Sequence, residues 1–265
     1  METYRVVELS DDDLNEYLCC LKSWDQKFSS SRKDKWYQKK REKGLCVKLI
    51  KDCQNNVLAM IQYLPSYESF VIGDDTFLVL CLWVHGYDRG VGNVQARGLG
   101  TVLLSAAETE VMLKGARGLA AWGMTFEEWM PVSWYIGHGY QEVDRIGARV
   151  LVWKEFRENS SAPVFRRQLR YPKPVKDRVL VSLFNDGWCQ DYNIACDLTA
   201  SVVKDYGREL LFREYDTSDR AVMAFWGIDN AIFIDRELII FGPDSIEKQL
   251  RGKIEERIKA LKLGN

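Results

Sequence analysis

Gln95-Ala96-Arg97-Gly98-Leu99-Gly100-Thr101-Val102-Leu103-Leu104-Ser105-Ala106-Ala107-Glu108 is the stretch that decides how the first part of this chain folds. The apolar run Phe77 to Val84 lies upstream of it. Two glycines then mark a turn, and an apolar-periodic segment follows in which Leu103, Ala106, Ala107 and Val111 share one helical face. The order is strand, glycine turn, helix. A turn of this kind leaves backbone N–H groups unpaired at the positive end of a helix. Such an end is a ready site for a phosphate or pyrophosphate.

The surrounding chain has 265 residues, enough for two domains of ordinary size. It is 46% hydrophobic and 28% charged, a globular balance, and the formal net charge is −1. No global field favours nucleic acid or a membrane, and neither is expected as a partner. The start, Met1 to Glu8, lacks the basic region and apolar core of a signal peptide. No apolar run approaches the ~20 residues of a membrane span. Seven scattered cysteines show no paired metal-ligand spacing. They predict free thiols in a reducing, cytoplasmic setting and no bound metal.

Upstream of the turn, Asp11-Asp12-Asp13 can cap a short helix through Leu14, Tyr17, Leu18 and Leu21. Ser29-Ser30-Ser31 start a basic helix from Arg32 to Lys43 that Gly44 stops. It reads as a solvated face, with an acidic acceptor as the alternative. Leu45 to Lys51 and Val57 to Leu64 read as a hairpin around Gln54-Asn55-Asn56. Phe77 to Val84 reads as a central strand covered on both faces. Downstream come a strand from Gly118 to Met124, a short helix from Val132 to Gly137 and a last strand from Arg149 to Trp153. A polar stretch at 159–177 reads as a linker. The second domain, 178–265, has the order β-α-β-α-β-β-α, with Ser245 as cap of its terminal helix.

Gln95-x-x-Gly98-x-Gly100 matches the glycine signature of the GNAT superfamily of N-acetyltransferases, and Trp134-Tyr135-Ile136-Gly137-His138-Gly139-Tyr140 matches that family's downstream aromatic segment. The resemblance covers about residues 1–158. It implies an α/β (α+β) GNAT fold with a mixed central sheet and acetyl-CoA as cosubstrate. Gln95, Ala96, Arg97, Gly98, Leu99, Gly100 and Thr101 would bind the pyrophosphate. Leu82, Trp83 and Val84 would pair with the pantetheine arm, and a backbone N–H there would polarise the thioester carbonyl. Tyr135 occupies the position of the general acid that protonates the leaving thiolate. The acceptor is expected to be a small-molecule or peptide amine that attacks directly. The residues leave the general base open among Glu68, Glu127, Glu128 and His85, and His138 reads as filling a turn. Two features depart from the family pattern. The segment His85 to Val94 is long and glycine-rich, and Thr125 stands where an asparagine is usual.

In the second domain, Asp186-Gly187-Trp188-Cys189 lies between a buried-type strand and a helix and resembles the start of a thioredoxin active site. The second cysteine of that motif is Tyr192 here, and Cys196 is too far along the helix for an unstrained disulfide. The domain is similar to the YoaP-type, thioredoxin-like module that follows some microbial acetyltransferases, and such a module can serve as a dimer contact. A thiol at a helix N-terminus is a good nucleophile. Cys189 is therefore the residue of an alternative reading, a thiol-based binding or redox-sensing protein in which the first domain serves as a CoA sensor.

Overall fold

The computed structural model describes residues 4–23, 31–127, 129–239 and 246–263. The chain divides into two units, Met1–Arg166 and Arg167–Asn265. The division falls inside the polar stretch that composition marks as a linker.

The first unit runs β1 (Arg5–Glu8), α1 (Leu14–Leu18), α2 (Ser31–Lys40), β2 (Cys46–Lys51), β3 (Val57–Pro65), β4 (Val71–Ile72) and β5 (Thr76–Val84). It continues with α3 (Leu99–Leu113), β6 (Gly118–Met124), α4 (Val132–Gly137), β7 (Gln141–Ile146), β8 (Arg149–Glu155) and β9 (Val164–Phe165). Seven strands form one mixed sheet in the order β1-β2-β3-β5-β6-β8-β7. All neighbours are antiparallel except β5 and β6. A parallel pair needs a crossover, and α3 supplies it.

Every residue of β3 is buried, as expected of a strand deep in the sheet. Its side chains serve two cores. On one face Ile61 and Val79 pack with Leu99, Leu103, Leu104, Ala107 and Val111 of α3. Burying one such Leu or Val is worth about 1.5–3 kcal/mol. On the other face Val47, Leu49 and Met60 pack with Tyr17, Leu18 and Leu21.

The basic helix does not present a purely solvated face. Lys33 and Lys40 of α2 are buried beside Trp36. Lys33 Nζ donates to the Tyr17 carbonyl at 2.7 Å and lies over the Tyr17 ring. Lys40 Nζ meets Glu68 at 2.8 Å. The helix ends in a tight turn, and Gly44 takes the left-handed conformation (φ +90°) that L side chains disfavour.

Two strands are less apparent in the sequence. β7 is mostly polar, and it pairs with β8 as the sheet edge. β9 lies in the stretch read as a linker and pairs with β4 in a separate two-stranded ribbon.

The second unit runs β10 (Val179–Asn185), α5 (Gln190–Val202), β11 (Leu210–Asp216), α6 (Arg220–Trp226), β12 (Ala231–Ile234), β13 (Glu237–Leu238) and α7 (Ile246–Leu263). Its sheet order is β11-β10-β12-β13, with β10 and β11 parallel. The remaining pairs are antiparallel. One face packs Val179, Val181, Leu183, Ile232 and Ile234 against Cys196, Leu250 and Ile254. The other carries Phe184 and Phe233 with Tyr215 and Trp226. Asp219 caps α6 by accepting the Ala221 N–H at 2.7 Å, and Gly227 ends that helix at φ +69°. Ser245, the expected cap of α7, lies outside the described residues.

Candidate functional site

β5 and β6 pair only from Thr76 to Val79 and from Gly118 to Ala121. Beyond that point β6 stays with β8 as far as Met124, while β5 stays with β3 as far as Val84. The two strands therefore separate. The separation begins at a bulge, because Gln62 opposes Cys81 and the adjacent Tyr63 opposes Val79. The indole N–H of Trp122 donates to the Leu80 carbonyl at 3.0 Å and satisfies the acceptor that this divergence leaves. Leu78 to Leu80 are buried, but Cys81 to Val84 are only half-buried. The expectation of a strand covered on both faces thus holds for its first half alone. His85 N–H donates to the Leu58 carbonyl in β3. Backbone groups alternate along a strand, so Leu82 and Val84 turn their N–H and C=O groups toward the gap.

The glycine turn lies at the same opening. Gly98 is the N-cap of α3 with φ +78°, and no side chain caps the helix. The first N–H groups of α3 consequently point out of the helix end. Gly100 has a different role. A Cβ there would lie 3.2 Å from the Trp134 ring and 3.4 Å from Leu82, so its absence keeps the cradle open. The Gln95 amide reaches the Val84 carbonyl at 3.4 Å and ties the turn to the end of β5. It occupies the space a side chain on Gly86 would need.

These elements surround one cavity of about 560 Å³. Leu82, Trp83 and Val84 line it from β5, and Gln95, Ala96, Gly98, Leu99, Gly100 and Thr101 line it from the turn and helix start. Arg97, between them in sequence, is not among the lining residues. Tyr135 closes the cavity from α4 and is itself buried. Burial, with the Cys81 thiol as a lesser cause, raises its phenol above the ordinary tyrosine range. A phenol in that state keeps its proton at neutral pH, so its O–H is present to meet an anion formed beside it. The arrangement can thus hold an anion at the helix end, pair an amide-bearing arm along β5 and deliver a proton from Tyr135.

The candidate bases separate. Glu127 lines the cavity, and its carboxylate accepts Ser133 Oγ at 3.0 and 3.1 Å. Glu68 is instead committed to the buried pair with Lys40. His85 Nδ1 donates to the Gly92 carbonyl at 2.8 Å, and Val94 N–H donates to the His85 carbonyl. Those two bonds close the glycine-rich 85–94 loop on itself. His138 Nδ1 donates to the Trp134 carbonyl at 2.7 Å, which leaves Nε2 to accept Thr101 Oγ1 at 2.9 Å. It joins α4 to the start of α3. Glu128 lies outside the described residues.

Four lining residues were not singled out in the sequence as cavity walls: Trp129, Met130, Pro131 and Trp134. The chain returns over β6 there because Gly123 has no side chain. A Cβ on Gly123 would lie 2.7 Å from the Met130 carbonyl and 2.9 Å from Val132. Met124 N–H donates to that same carbonyl at 2.8 Å. A glycine followed by tryptophans six and eleven residues later is the available signal.

In the second unit, Cys189 is the half-buried N-cap of α5, and Cys196 is fully buried further along that helix. Neither takes part in a disulfide. The loop before Cys189 is held by Asn193, whose Oδ1 accepts Asn185 Nδ2 at 3.1 Å and whose Nδ2 donates to the Gly187 carbonyl at 2.9 Å.

No family model and no curated protein matches the chain. Solved structures do. The PaiA N-acetyltransferase of Thermoplasma acidophilum, in complex with coenzyme A, is similar at 15% identity and a TM-score of 0.41, over 58% of this chain and 99% of that one. A GNAT-family N-acetyltransferase (YhbS) of Escherichia coli, in complex with CoA, is similar at 12% identity and a TM-score of 0.44, over 62% and 91%. A GNAT-family acetyltransferase of Brucella melitensis, in complex with acetyl-CoA, is similar at 14% identity and a TM-score of 0.41, over 61% and 93%. Among the described residues no helix is long and apolar enough to cross a membrane.

Proposed function

We propose that the first unit is an acetyl-CoA-dependent N-acetyltransferase of the GNAT type, acting on a small-molecule or peptide amine. The observation that carries this reading is the opening of one cavity onto two features at once, the splayed edge of β5 and the uncapped start of α3. The residues present fit the cosubstrate. The cradle at Gly98 and Gly100 is one that a Cβ at Gly100 would fill. The N–H groups of Leu99, Gly100 and Thr101 would hold the pyrophosphate, assisted by the helix dipole. The N–H and C=O groups of Leu82 and Val84 would pair with the amides of the pantetheine arm. When bound, acetyl-CoA supplies an acetyl group activated as a thioester.

The protein's residues then manage protons. The acceptor arrives as an ammonium at neutral pH, and Glu127 is the described lining carboxylate placed to take its proton. The amine nitrogen forms an N–C bond as the C–S bond breaks. Tyr135 gives its proton to the leaving sulfur and recovers the second amine proton. The net change is an amide, a free thiol and one proton released to solvent. Because burial raises the Tyr135 phenol, it remains a proton donor above neutrality.

Free thiol release from acetyl-CoA in the presence of an amine library tests the reading. Tyr135→Phe is expected to lower kcat by about 10²–10⁴-fold, with CoA affinity unchanged. Tight CoA binding without thiol release above hydrolysis for every amine would overturn it.

The second unit fits a thioredoxin-like, YoaP-type accessory module, by the order and direction of its strands. We place the protein in the cytoplasm and read the second unit as a candidate dimer contact, to be checked by solution mass. The alternative reading, thiol binding or redox sensing by Cys189 with the first unit as a CoA sensor, rests on the half-buried position of that thiol at the start of α5. Comparing the thiol reactivity of the protein with that of Cys189→Ser tests it. A Cys189 that reacts no faster than an ordinary cysteine sinks it.

A further inference from the structure

The cavity is lined by two chemically distinct groups of residues. One is the start of α3, which favours negative charge. The other is Glu127 with Trp129, Met130 and Pro131. Among the described lining residues Glu127 is the one charged side chain. Its carboxylate is fixed by Ser133 of α4, the helix that also carries Tyr135. The walls around it are aromatic and apolar. Trp129 is braced edge-to-face against Trp122 at 5.7 Å, and Trp134 is braced against Tyr135 at 5.0 Å. Trp129 is 41% exposed, so its ring is reachable by a ligand. The wall itself is held in place by the close approach of Met130 and Val132 to Gly123.

A carboxylate set among tryptophans attracts a cation twice, by charge and by the faces of the rings. It repels a second anion. The lysines of α2 that could have suggested an acidic acceptor do not change this, because Lys33 and Lys40 are buried in contacts of their own and no lysine of α2 lines the cavity. A polyamine also fits poorly. One carboxylate would pair with one ammonium, and the others would find no second carboxylate among the described lining residues.

Resting on the acetyltransferase reading, we propose that the acceptor is a primary amine carried on an apolar or aromatic body, an arylalkylamine in chemical class, selected by Glu127 and Trp129. Glu127 takes the ammonium, and Trp129 with Met130 takes the body. This assigns Glu127, Trp129, Met130 and Pro131 as the specificity wall of the site.

The probes are phenethylamine, spermidine and glutamate, titrated calorimetrically into the full chain saturated with CoA, with acetyl transfer measured alongside. Phenethylamine is expected to bind best of the three. Glu127→Gln and Trp129→Ala are each expected to weaken it roughly tenfold or more, the scale of one lost charge-assisted or stacking contact. Trp129→Phe is expected to recover most of the loss. CoA affinity, measured on every variant, confirms that each is folded. Equal or tighter binding of spermidine or glutamate would overturn the proposal, as would an unchanged phenethylamine Kd in both variants. Transfer to glutamate in preference to phenethylamine sinks this acceptor class and leaves the transferase reading intact. Glu127-dependent binding of phenethylamine without any transfer does the reverse.

Discussion

Trp122 on β6 donates its indole N–H to the carbonyl of Leu80 on β5, at the residue where those two strands part. Two strands of one sheet cannot separate without orphaning backbone groups, and here a side chain takes the place of the missing ladder bond. The same ring braces Trp129 of the cavity wall. Trp122 thus joins the origin of the gap to one side of the site. Trp122→Phe keeps the ring and removes the donor, leaving the Leu80 carbonyl buried without its partner. The expected loss is about 1–3 kcal/mol in urea unfolding. An unchanged midpoint would show that the bond is not part of what holds the opening.

Gly100 separates binding from folding. Its backbone is helical, so an added methyl group costs nothing in conformation, but it would protrude between Trp134 and Leu82. Gly100→Ala is expected to keep the thermal midpoint and to weaken CoA by roughly tenfold or more, as the cradle narrows. Titration of CoA calorimetrically decides it. Wild-type affinity would place the ligand elsewhere.

Lys40 and Glu68 form an ion pair with 2% and 4% of their side chains exposed. Removing Lys40 leaves the buried Glu68 carboxylate with Lys43 at 3.9 Å, a longer contact from an exposed side chain. Lys40→Met should cost about 3–5 kcal/mol, and Lys40→Met combined with Glu68→Leu should cost less than that single change. Chemical denaturation of the two variants measures the difference. A double variant less stable than Lys40→Met would contradict the account.

Glu110 supplies a pH dependence. Burial pushes its carboxyl up, but hydrogen bonds from Lys114, Lys48 and Tyr63 outweigh burial and hold it at about 2. Lys114 lies 2.6 Å away, Lys48 2.5 Å and the Tyr63 hydroxyl 2.8 Å. The folded value is below the unfolded one of about 4.3, so the contribution is complete above that pH. It is lost as pH falls toward 2. Glu110→Gln should lower stability at neutral pH and flatten the acid limb of the stability curve between about pH 5 and 2. Urea midpoints over that range give the answer, and parallel curves for the two proteins would refute it.

The elements that sequence specifies well here are those whose signal is local. The glycine turn and α3 are legible because Gly98 must adopt a left-handed conformation and the apolar positions repeat at helical spacing. The β2–β3 hairpin is legible from Gln54-Asn55-Asn56, where Asn55 takes φ +68°. β7 and β9 are less so. An edge strand and a two-residue ribbon bury too little apolar surface to leave a periodic pattern, and β9 has its partner β4 far back along the chain.

The site divides along the same line. Residues 95–101 can be nominated from the glycine turn itself, and 82–84 and Tyr135 from the family resemblance that the turn and the aromatic segment carry. Which of the candidate carboxylates faces the cavity cannot. Glu68 and Glu127 look alike in sequence, and only folding pairs Glu68 with Lys40 and brings Glu127 to the lining. The aromatic wall depends on the return of residues 125–131 over Gly123, a contact of two backbones. The divergence of β5 from β6 is likewise a property of the whole sheet, since Phe77 to Val84 reads as uniformly apolar while only its first half has a neighbour on both sides. Local backbone preference and apolar period therefore settled where the glycine turn and its helix lie. Long-range pairing and close packing decided which side chains surround it.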